Sequence, residues 1–484
     1  MTDTRELSAA TVGRVLGPAL CVFMLIVPTG SLEGVAKQVV AVVLWMAVWW
    51  MTEAAPLAVT SMLPLVLFPL LNVRGVRDVA PNYSNHMIFL FLGGFILALT
   101  VERSGLHRRI ALAVLDAIGA SPKRLVWGFL IATAALSMWL SNTATTLMML
   151  PIAAGVAQRV DHPRTPSRLM LAVAYGASVG GIGTLVGTPP NLVLAGMAPS
   201  LVPDLEPLTF GGWMMFGVPF VLLFTPVVGL VLGRGLPSGA RRDPGLAAER
   251  SALGPMRSHE RRVAILFTLT ALAWVTRSNL DFGVFTLPGW SSLLADPEMV
   301  SDAVPAIAAA ALATLLPSGE GSGRRLLSWD EISHGVPWGV LLLFGGGFAV
   351  ADAVRATSVD DWLAASLDGL AVLPLPLVVL SICLITTFAT ELTSNTATAT
   401  LLMPVMAVLA AVLGVHPYLL MVPATLSASC AFMLPVATPP NAIVIGSGRV
   451  SVQDLFREGI RLNFIGAVVV TIAVLTLGRW LLPM

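Results

Sequence analysis

Ser141-Asn142-Thr143-Ala144-Thr145 recurs in the same chain as Ser394-Asn395-Thr396-Ala397-Thr398. Both copies run on into a leucine- and methionine-rich segment that reaches a proline, at Pro151 and Pro404. The offset is 253 residues for the two tips (141 to 394) and for the two prolines (151 to 404). The same offset joins Phe91-x-Gly93-Gly94-Phe95 to Phe344-x-Gly346-Gly347-Phe348. A second polar interruption follows each copy, Gly187-Thr188-Pro189-Pro190-Asn191 and Ala437-Thr438-Pro439-Pro440-Asn441, at an offset of 250 (188 to 438). Four landmarks in one order at nearly one spacing describe a duplicated unit. The period is far too long for a solenoid and fits the two halves of a membrane transporter.

Composition agrees. The chain has 484 residues, 56% hydrophobic and 11% charged, with a mean hydropathy of +0.85. A soluble chain carries about 25% charge. The expectation is an all-α polytopic membrane protein in the cell's inner (plasma) membrane. A net charge of +1 gives no reason to expect a nucleic-acid partner. Cys21, Cys383 and Cys430 all lie in apolar runs, which suggests neither a disulfide framework nor a metal site. Trp49-Trp50, Trp338 and Trp480 sit near segment ends, as interfacial anchors do. Arg5 and Arg14 precede the first apolar run, but no small-x-small cleavage site follows it, so it reads as a retained first helix.

A span needs about 20 mostly apolar residues. Candidate runs are Val15–Pro28, Val35–Met51, Pro56–Leu71, Met87–Val101, Leu125–Leu140, Ala144–Val156, Leu169–Met197, Trp213–Gly233, Val263–Thr276, Val304–Leu316, Val336–Ala351, Leu373–Thr390, Ala397–Val412, Tyr418–Ile445 and Phe464–Leu482. Basic residues mark cytoplasmic segments. Arg103–Arg124, Arg159–Arg168, Arg234–Arg262 (with Arg241, Arg242 and Arg250), Arg324–Arg325 and Arg449–Arg461 are therefore placed inside, the third of them as a solvated loop. Arg277–Asp302 and Asp352–Asp368 are poor in basic residues and are placed outside. Keeping both Arg103–Arg124 and Arg159–Arg168 inside requires Leu125–Val156 to enter and leave on one face. It reads as a re-entrant hairpin with its tip at Ser141-Asn142-Thr143, and Leu373–Val412 as its partner from the opposite face. The count is then eleven crossings plus two hairpins, with the N-terminus inside, the C-terminus outside and the halves inverted. The divisions are 1–86 and 263–335 as scaffold, 87–233 and 336–484 as the repeats with hairpins near 125–156 and 373–412, and 234–262 as the basic loop.

Ser-Asn-Thr within apolar sequence exposes hydroxyls, an amide and irregular backbone at membrane depth. Such backbone is tolerated only where it is buried in protein or lines a wet cavity. A hairpin tip also presents a helix start, whose free N–H groups and dipole attract anions. Hydroxyls and the Asn amide donate to carboxylate oxygens, and Asn and backbone carbonyls can hold a hard cation. Each Pro-Pro removes consecutive amide donors and is expected to free carbonyls around Thr184–Gly187 and Leu434–Ala437. A lone polar residue in a membrane helix is more often packing than ligand; duplication of the whole constellation turns the reading to a site. Gly93-Gly94 and Gly345-Gly346-Gly347 read as close helix packing, and Glu53 as interfacial or as a cap of the next helix. No Lys or Arg lies between Trp127 and Gln158 or between Ala356 and Ile445. An anion held there needs co-bound cations, because unpaired buried charge is very costly. Glu391, the one acid beside a tip, reads as a hydrogen-bonded structural carboxylate or as part of a cation site. No nucleophile–base pair accompanies the tips, which argues against an enzyme.

With Ser-Asn-Thr and Thr-Pro-Pro each present twice, and with Trp49-Trp50-x-Thr52-Glu53-Ala54 near the start, the chain resembles the divalent anion/sodium symporter family over its full length. The resemblance implies a homodimer with a scaffold domain and a transport domain that moves as an elevator. It implies that Ser141, Asn142, Thr143, Ser394, Asn395 and Thr396 clasp the carboxylates of the substrate, with Thr188, Pro189, Thr438 and Pro439 lining the site. One sodium site would use Ser137, Ser141, Asn142 and the backbone near Gly187; the other would use Thr390, Thr393, Asn395 and the backbone near Ala437. The function expected is sodium-driven uptake of C4-dicarboxylates such as succinate, malate or fumarate. The alternatives are a sodium-independent dicarboxylate or citrate exchanger of the same fold, or a sulfate transporter.

Overall fold

The computed structural model describes residues 8–484 except 120, 240–243, 282–284, 320, 322 and 371. Arg5, Arg241 and Arg242 of the charge reading lie outside the described residues.

Helices α1 (Ala9–Ile26), α2 (Gly34–Thr52), the split pair α3 (Leu57–Ser61) and α4 (Leu63–Leu70), and a short turn α5 (Val76–Val79) open the chain. The first repeat runs through α6 (His86–Ser104), α7 (Leu106–Ile118), α8 (Pro122–Ser137), α9 (Asn142–Arg159), α10 (Thr165–Gly181), α11 (Pro189–Leu201) and α12 (Phe210–Leu232). Connectors α13 (Pro244–Ala252), α14 (Ser258–Val275), α15 (Ala303–Leu315) and α16 (Trp329–Gly335) follow. The second repeat takes the same order through α17 (Trp338–Ala356), α18 (Val359–Leu367), α19 (Leu375–Thr390), α20 (Asn395–Leu413), α21 (Tyr418–Ala428), α22 (Pro439–Gly446) and α23 (Val452–Ala473), before a last turn α24 (Arg479–Leu481). Among the described residues the β-structure is one small hairpin, Leu280–Asp281 paired with Thr286–Leu287, and an isolated bridge between Pro317 and Arg325.

Among the described residues seven helices are long and apolar enough to cross a membrane, or eight if the bent pair Val359–Leu370 and Leu375–Thr390 is one span. The expected all-α polytopic membrane protein is what forms. Shorter apolar helices, such as Ala303–Leu315 and Tyr418–Ala428, lie between them.

Local chemistry sets the element ends. Ser141 caps α9 by accepting from the Ala144 amide at 3.2 Å, and Ser121 caps α8 from the Arg124 amide. Pro189-Pro190 and Pro439-Pro440 start α11 and α22, where a missing N–H costs no helical bond. The exits from α6 and α17 are equivalent. Each turns through a left-handed residue into a short helix, Gly105 (φ 77°) in one case and Ser358 (φ 54°) in the other.

The paired glycines pack as expected. A Cβ on Gly93 would lie 2.5 Å from the Ala306 carbonyl carbon, and one on Gly346 would collide with the Ser61 backbone. Phe91 and Phe344, equivalent residues of the two repeats, touch edge to face with ring centroids 4.8 Å apart. The pseudo-symmetry relating the repeats therefore passes between these two rings.

Three expectations change. Arg103–Arg124 is not merely a basic connector: it contains α7, whose Ala111, Leu112 and Leu115 are buried. Arg234–Arg262 is not a solvated loop either. Its helix α13 buries Leu246 and is tied by Glu249 to Arg159 at the end of α9 (3.3 Å) and by Arg250 to Asp116 on α7 (2.5 Å). Glu260 at the start of α14 pairs with Arg109 of α7 at 2.8 Å. Finally, Trp50 is only 1% exposed, so it is a packing residue and not an interfacial anchor.

Candidate functional site

The two Ser-Asn-Thr tips and the two Thr-Pro-Pro breaks converge on one cavity of about 990 Å³. Its wall includes Ser141, Asn142 and Thr143 from the first tip, and Ser394, Asn395 and Thr396 from the second. Gly187, Thr188 and Pro189 line it from the first break, and Ala437, Thr438 and Pro439 from the second, and Thr393 is also in the wall. Four helices, α9, α11, α20 and α22, thus begin at this cavity. A helix start carries roughly half a positive charge, so four of them favour an anion without any basic side chain. The donors are unevenly shared. Prolines 189, 190, 439 and 440 have no N–H, whereas the amides of Asn142, Thr143, Asn395 and Thr396 have no partner among the described residues. The backbone donors left free at the cavity are therefore those of the tips.

Among the described residues no Lys, Arg or His lines the cavity, and the charged side chains in its wall are Glu53 and Glu102. The lack of a basic side chain seen along the sequence thus holds for the described cavity wall as well. Glu53 ends α2 in a left-handed conformation (φ 50°) at the cavity wall; it does not cap the next helix as expected, since the N-cap of α3 is Pro56, with no side-chain cap bond.

Ser137 and Thr390 do not line the cavity. They are fully buried behind the tips and meet the asparagines there. Ser137 Oγ lies 2.8 Å from Asn142 Oδ1 and 2.8 Å from the Ala177 carbonyl oxygen. Thr390 Oγ1 lies 2.7 Å from Asn395 Oδ1 and 3.0 Å from the Ala428 carbonyl oxygen. Each hydroxyl has one proton to give and two acceptors to serve. Two equivalent clusters of three oxygens, short of one proton each, are suited to a hard monovalent cation. Ala177 and Ala428 were not foreseen, because a backbone carbonyl has no sequence signature. Thr393 behaves differently: its hydroxyl contacts Ala389 O at 3.0 Å and Thr398 Oγ1 at 2.6 Å, and not the Thr390–Asn395 pair.

The asparagines of the Thr-Pro-Pro-Asn motifs hold the breaks. Asn191 Nδ2 lies 3.2 Å from Gly181 O, 3.2 Å from Ile182 O and 2.7 Å from Thr184 O. Asn441 Nδ2 donates to Ala431 O (3.2 Å) and Leu434 O (3.0 Å). The carbonyls of Thr184 and Leu434, expected to be free for a ligand, are therefore engaged. Gly187 and Ala437 both line the cavity.

Glu391 is structural. Its carboxylate accepts from the amides of Phe432, Met433 and Leu434, each at 2.8 Å, and from Asn463 Nδ2 at 2.7 Å. The broken backbone of the second repeat finds its acceptor there.

Comparison with known proteins follows the same lines. The sodium-dependent dicarboxylate transporter SdcS of Staphylococcus saprophyticus is 39% identical, over 96% of this chain and 90% of that protein. Its namesake from Staphylococcus aureus strain NCTC 8325 is 37% identical over the same shares. Two solved transporters share the fold. The Alcanivorax borkumensis YdaH transporter has a TM-score of 0.56 at 16% identity, over 84% of this chain and 89% of that one. The Neisseria gonorrhoeae efflux pump MtrF has a TM-score of 0.60 at 12% identity, over 97% and 95%. Residues 9–484 match the family described as the sodium:sulfate symporter transmembrane region, and the chain belongs to that family.

Proposed function

We propose that this protein is a secondary transporter that couples sodium entry to uptake of C4-dicarboxylates such as succinate, malate or fumarate. The observation that carries the reading is the cavity: two duplicated tips of neutral donors, four helix starts and no basic side chain. A dicarboxylate bound there would bring two negative charges into a site that also holds Glu53 and Glu102 in its wall. Balance must come from mobile cations, and the oxygen clusters at Asn142 and Asn395 are suited to hold them. The relatives named sodium-dependent dicarboxylate transporters support the same cargo and the same coupling ion. Its role is transport and not catalysis.

The tips would clasp the two carboxylates from opposite sides, Ser141, Asn142 and Thr143 on one and Ser394, Asn395 and Thr396 on the other. A sodium ion at Ser137, Asn142 and the Gly187 backbone, and another at Thr390, Asn395 and the Ala437 backbone, would hold each asparagine side chain in its binding pose. Loading of cation and anion is then cooperative, since each fixes the donors of the other.

The topology we favour has eleven crossings, two hairpins and inverted halves, with the N-terminus inside and the C-terminus outside. In that frame the lining residues Ala9, Trp50–Glu53, Glu102, Gly335 and Pro337 all lie toward the cytoplasmic side. The cavity is then open inward. Exchange of access would come from movement of the hairpin-bearing elements past the scaffold, in a homodimer.

The test is uptake of labelled succinate by purified protein in liposomes under an inward sodium gradient. Uptake should depend on sodium, and Asn142→Ala or Asn395→Ala should reduce it by about a hundredfold or more while the protein stays monodisperse, since each substitution removes a cation ligand and an anion donor together. Equal uptake with choline in place of sodium would overturn the coupling; normal rates in either variant would overturn the site.

A further inference from the structure

Helices α6 and α17 are equivalent at the 253-residue offset, yet they end in opposite charge: Glu102 stands in the last turn of α6 and Arg355 in the last turn of α17. Glu102 lines the cavity together with Glu53, which ends α2. Neither carboxylate has a side-chain hydrogen bond or an ion pair among the described residues. Arg103, the next residue, lies 3.8 Å from Glu331 and is not in the cavity wall. Arg355 has no carboxylate partner among the described residues either. Its guanidinium donates to the Ser200 carbonyl oxygen at 3.2 Å, near the far end of α11, the helix that begins at the cavity.

The last turn of a helix carries partial negative charge, which a basic residue offsets and a carboxylate opposes. Arg355 obeys that rule. Glu53 and Glu102 break it, unpaired, in the cavity wall. Departures from a local rule collect at functional positions. The cavity is thus polarised: helix starts line it at the tips and the breaks, and two helix ends bearing free carboxylates line it from α2 and α6. In the favoured topology Glu53 and Glu102 lie toward the cytoplasm and Arg355 toward the outside. The operation that exchanges inverted repeats carries a mouth beside Glu102 onto a mouth beside Arg355.

We infer that the transport path is oppositely charged at its two mouths: Arg355 attracts the dicarboxylate entering from outside, and Glu102 with Glu53 repels it into the cytoplasm. This rests on the dicarboxylate-transport reading and its topology. The three residues act through the field they set up and not as ligands. A unit charge about 10 Å from a dianion in water changes its affinity about fourfold, and salt screens the effect over about 10 Å at 0.1 M. The protein therefore takes dicarboxylate with a lower KM from the outer face than from the cytoplasmic one.

The experiment measures initial rates of labelled succinate flux by the full-length protein in right-side-out and inside-out membrane vesicles, at fixed sodium and low ionic strength, and again with choline chloride added. Glu102→Gln and Glu53→Gln should each lower the KM from the cytoplasmic face about fourfold and leave the outer KM as in the wild type. Arg355→Gln should raise the outer KM about fourfold and leave the inner one. Added choline chloride should shrink every difference, and Glu102→Asp, which keeps the charge, should behave as the wild type. An unchanged inner KM in Glu102→Gln and Glu53→Gln, equal changes from both faces, or differences that persist at high salt would overturn the proposal alone. Changes in the Glu102 variant confined to the outer face would overturn the topology with it. A wild-type protein that carries no succinate would overturn the transport reading and this proposal together. Should Glu102→Gln fail to fold, Glu53→Gln and Arg355→Gln decide by the same sided shifts.

Discussion

At the scale of single residues, each repeat solves the same local problem with different side chains. The turn from α6 into α7 and the turn from α17 into α18 both require a left-handed residue; the first uses Gly105 and the second Ser358. A residue with a Cβ is disfavoured there by about 1 kcal/mol. Ser358→Gly should therefore raise the apparent melting temperature of the detergent-purified protein and leave uptake unchanged. A lower melting temperature would show that the Ser358 side chain contributes more than its backbone strain costs. Glu391 is the counterpart in polar chemistry. A buried carboxylate is costly unless it is satisfied, and this one is satisfied four times over. Its position beside a tip made it look like a possible ligand. Its partners, three amides and Asn463, give it a scaffolding role.

At the scale of elements, the broken helices explain why Thr-Pro-Pro ends in asparagine. Proline removes donors and so leaves carbonyls of the preceding turn without partners. Asn191 and Asn441 return donors to those carbonyls from within the next helix. Trp213 Nε1 adds a bond to Ile182 O at 2.9 Å, pinning the first break to α12. Each buried polar group left unpaired costs about 1–3 kcal/mol. Asn441→Ala should thus lower the melting temperature in choline, and should weaken sodium stabilisation as well because the turn leading to Ala437 loses its bond at Leu434 O. A loss of sodium stabilisation with an unchanged baseline would instead make Asn441 a direct ligand.

At the scale of the whole molecule, the direction in which the cavity opens is open to test by chemical labelling. Cys21, Cys383 and Cys430 are all buried, which keeps the background low. Val436 at the cavity wall is 80% exposed, and Val372 between α18 and α19 is 86% exposed. With the N-terminus inside, Val372→Cys in intact cells should react with a membrane-impermeant maleimide. Val436→Cys, in the absence of substrate, should react only with a permeant one. The opposite pattern would invert the topology. The connector between the repeats also bears on movement. Helix α13 is held to α7 and to the end of α9 by Arg250–Asp116 and Arg159–Glu249. These pairs are partly exposed, and each contributes less than about 1 kcal/mol. They can guide the first hairpin without locking it.

The sequence alone determined the duplication, the membrane class, the two tips and the absence of a cation between them. Each of these is written in residue identity and spacing: an offset that repeats, runs long enough for a bilayer, polar triplets where polar residues are costly. Gly93 and Gly346 could be read as close-packing positions for the same reason. Only the tertiary structure decided what completes the site. The Ala177 and Ala428 carbonyls, the close approach of Gly181 to Asn142 and the acceptor role of Glu391 depend on which backbones come within reach. Every residue carries a carbonyl and an amide, so no spacing distinguishes those that converge. The paired charges of α13 were legible as charges but not as pairs, because partners up to 134 residues apart meet only after the helices have packed.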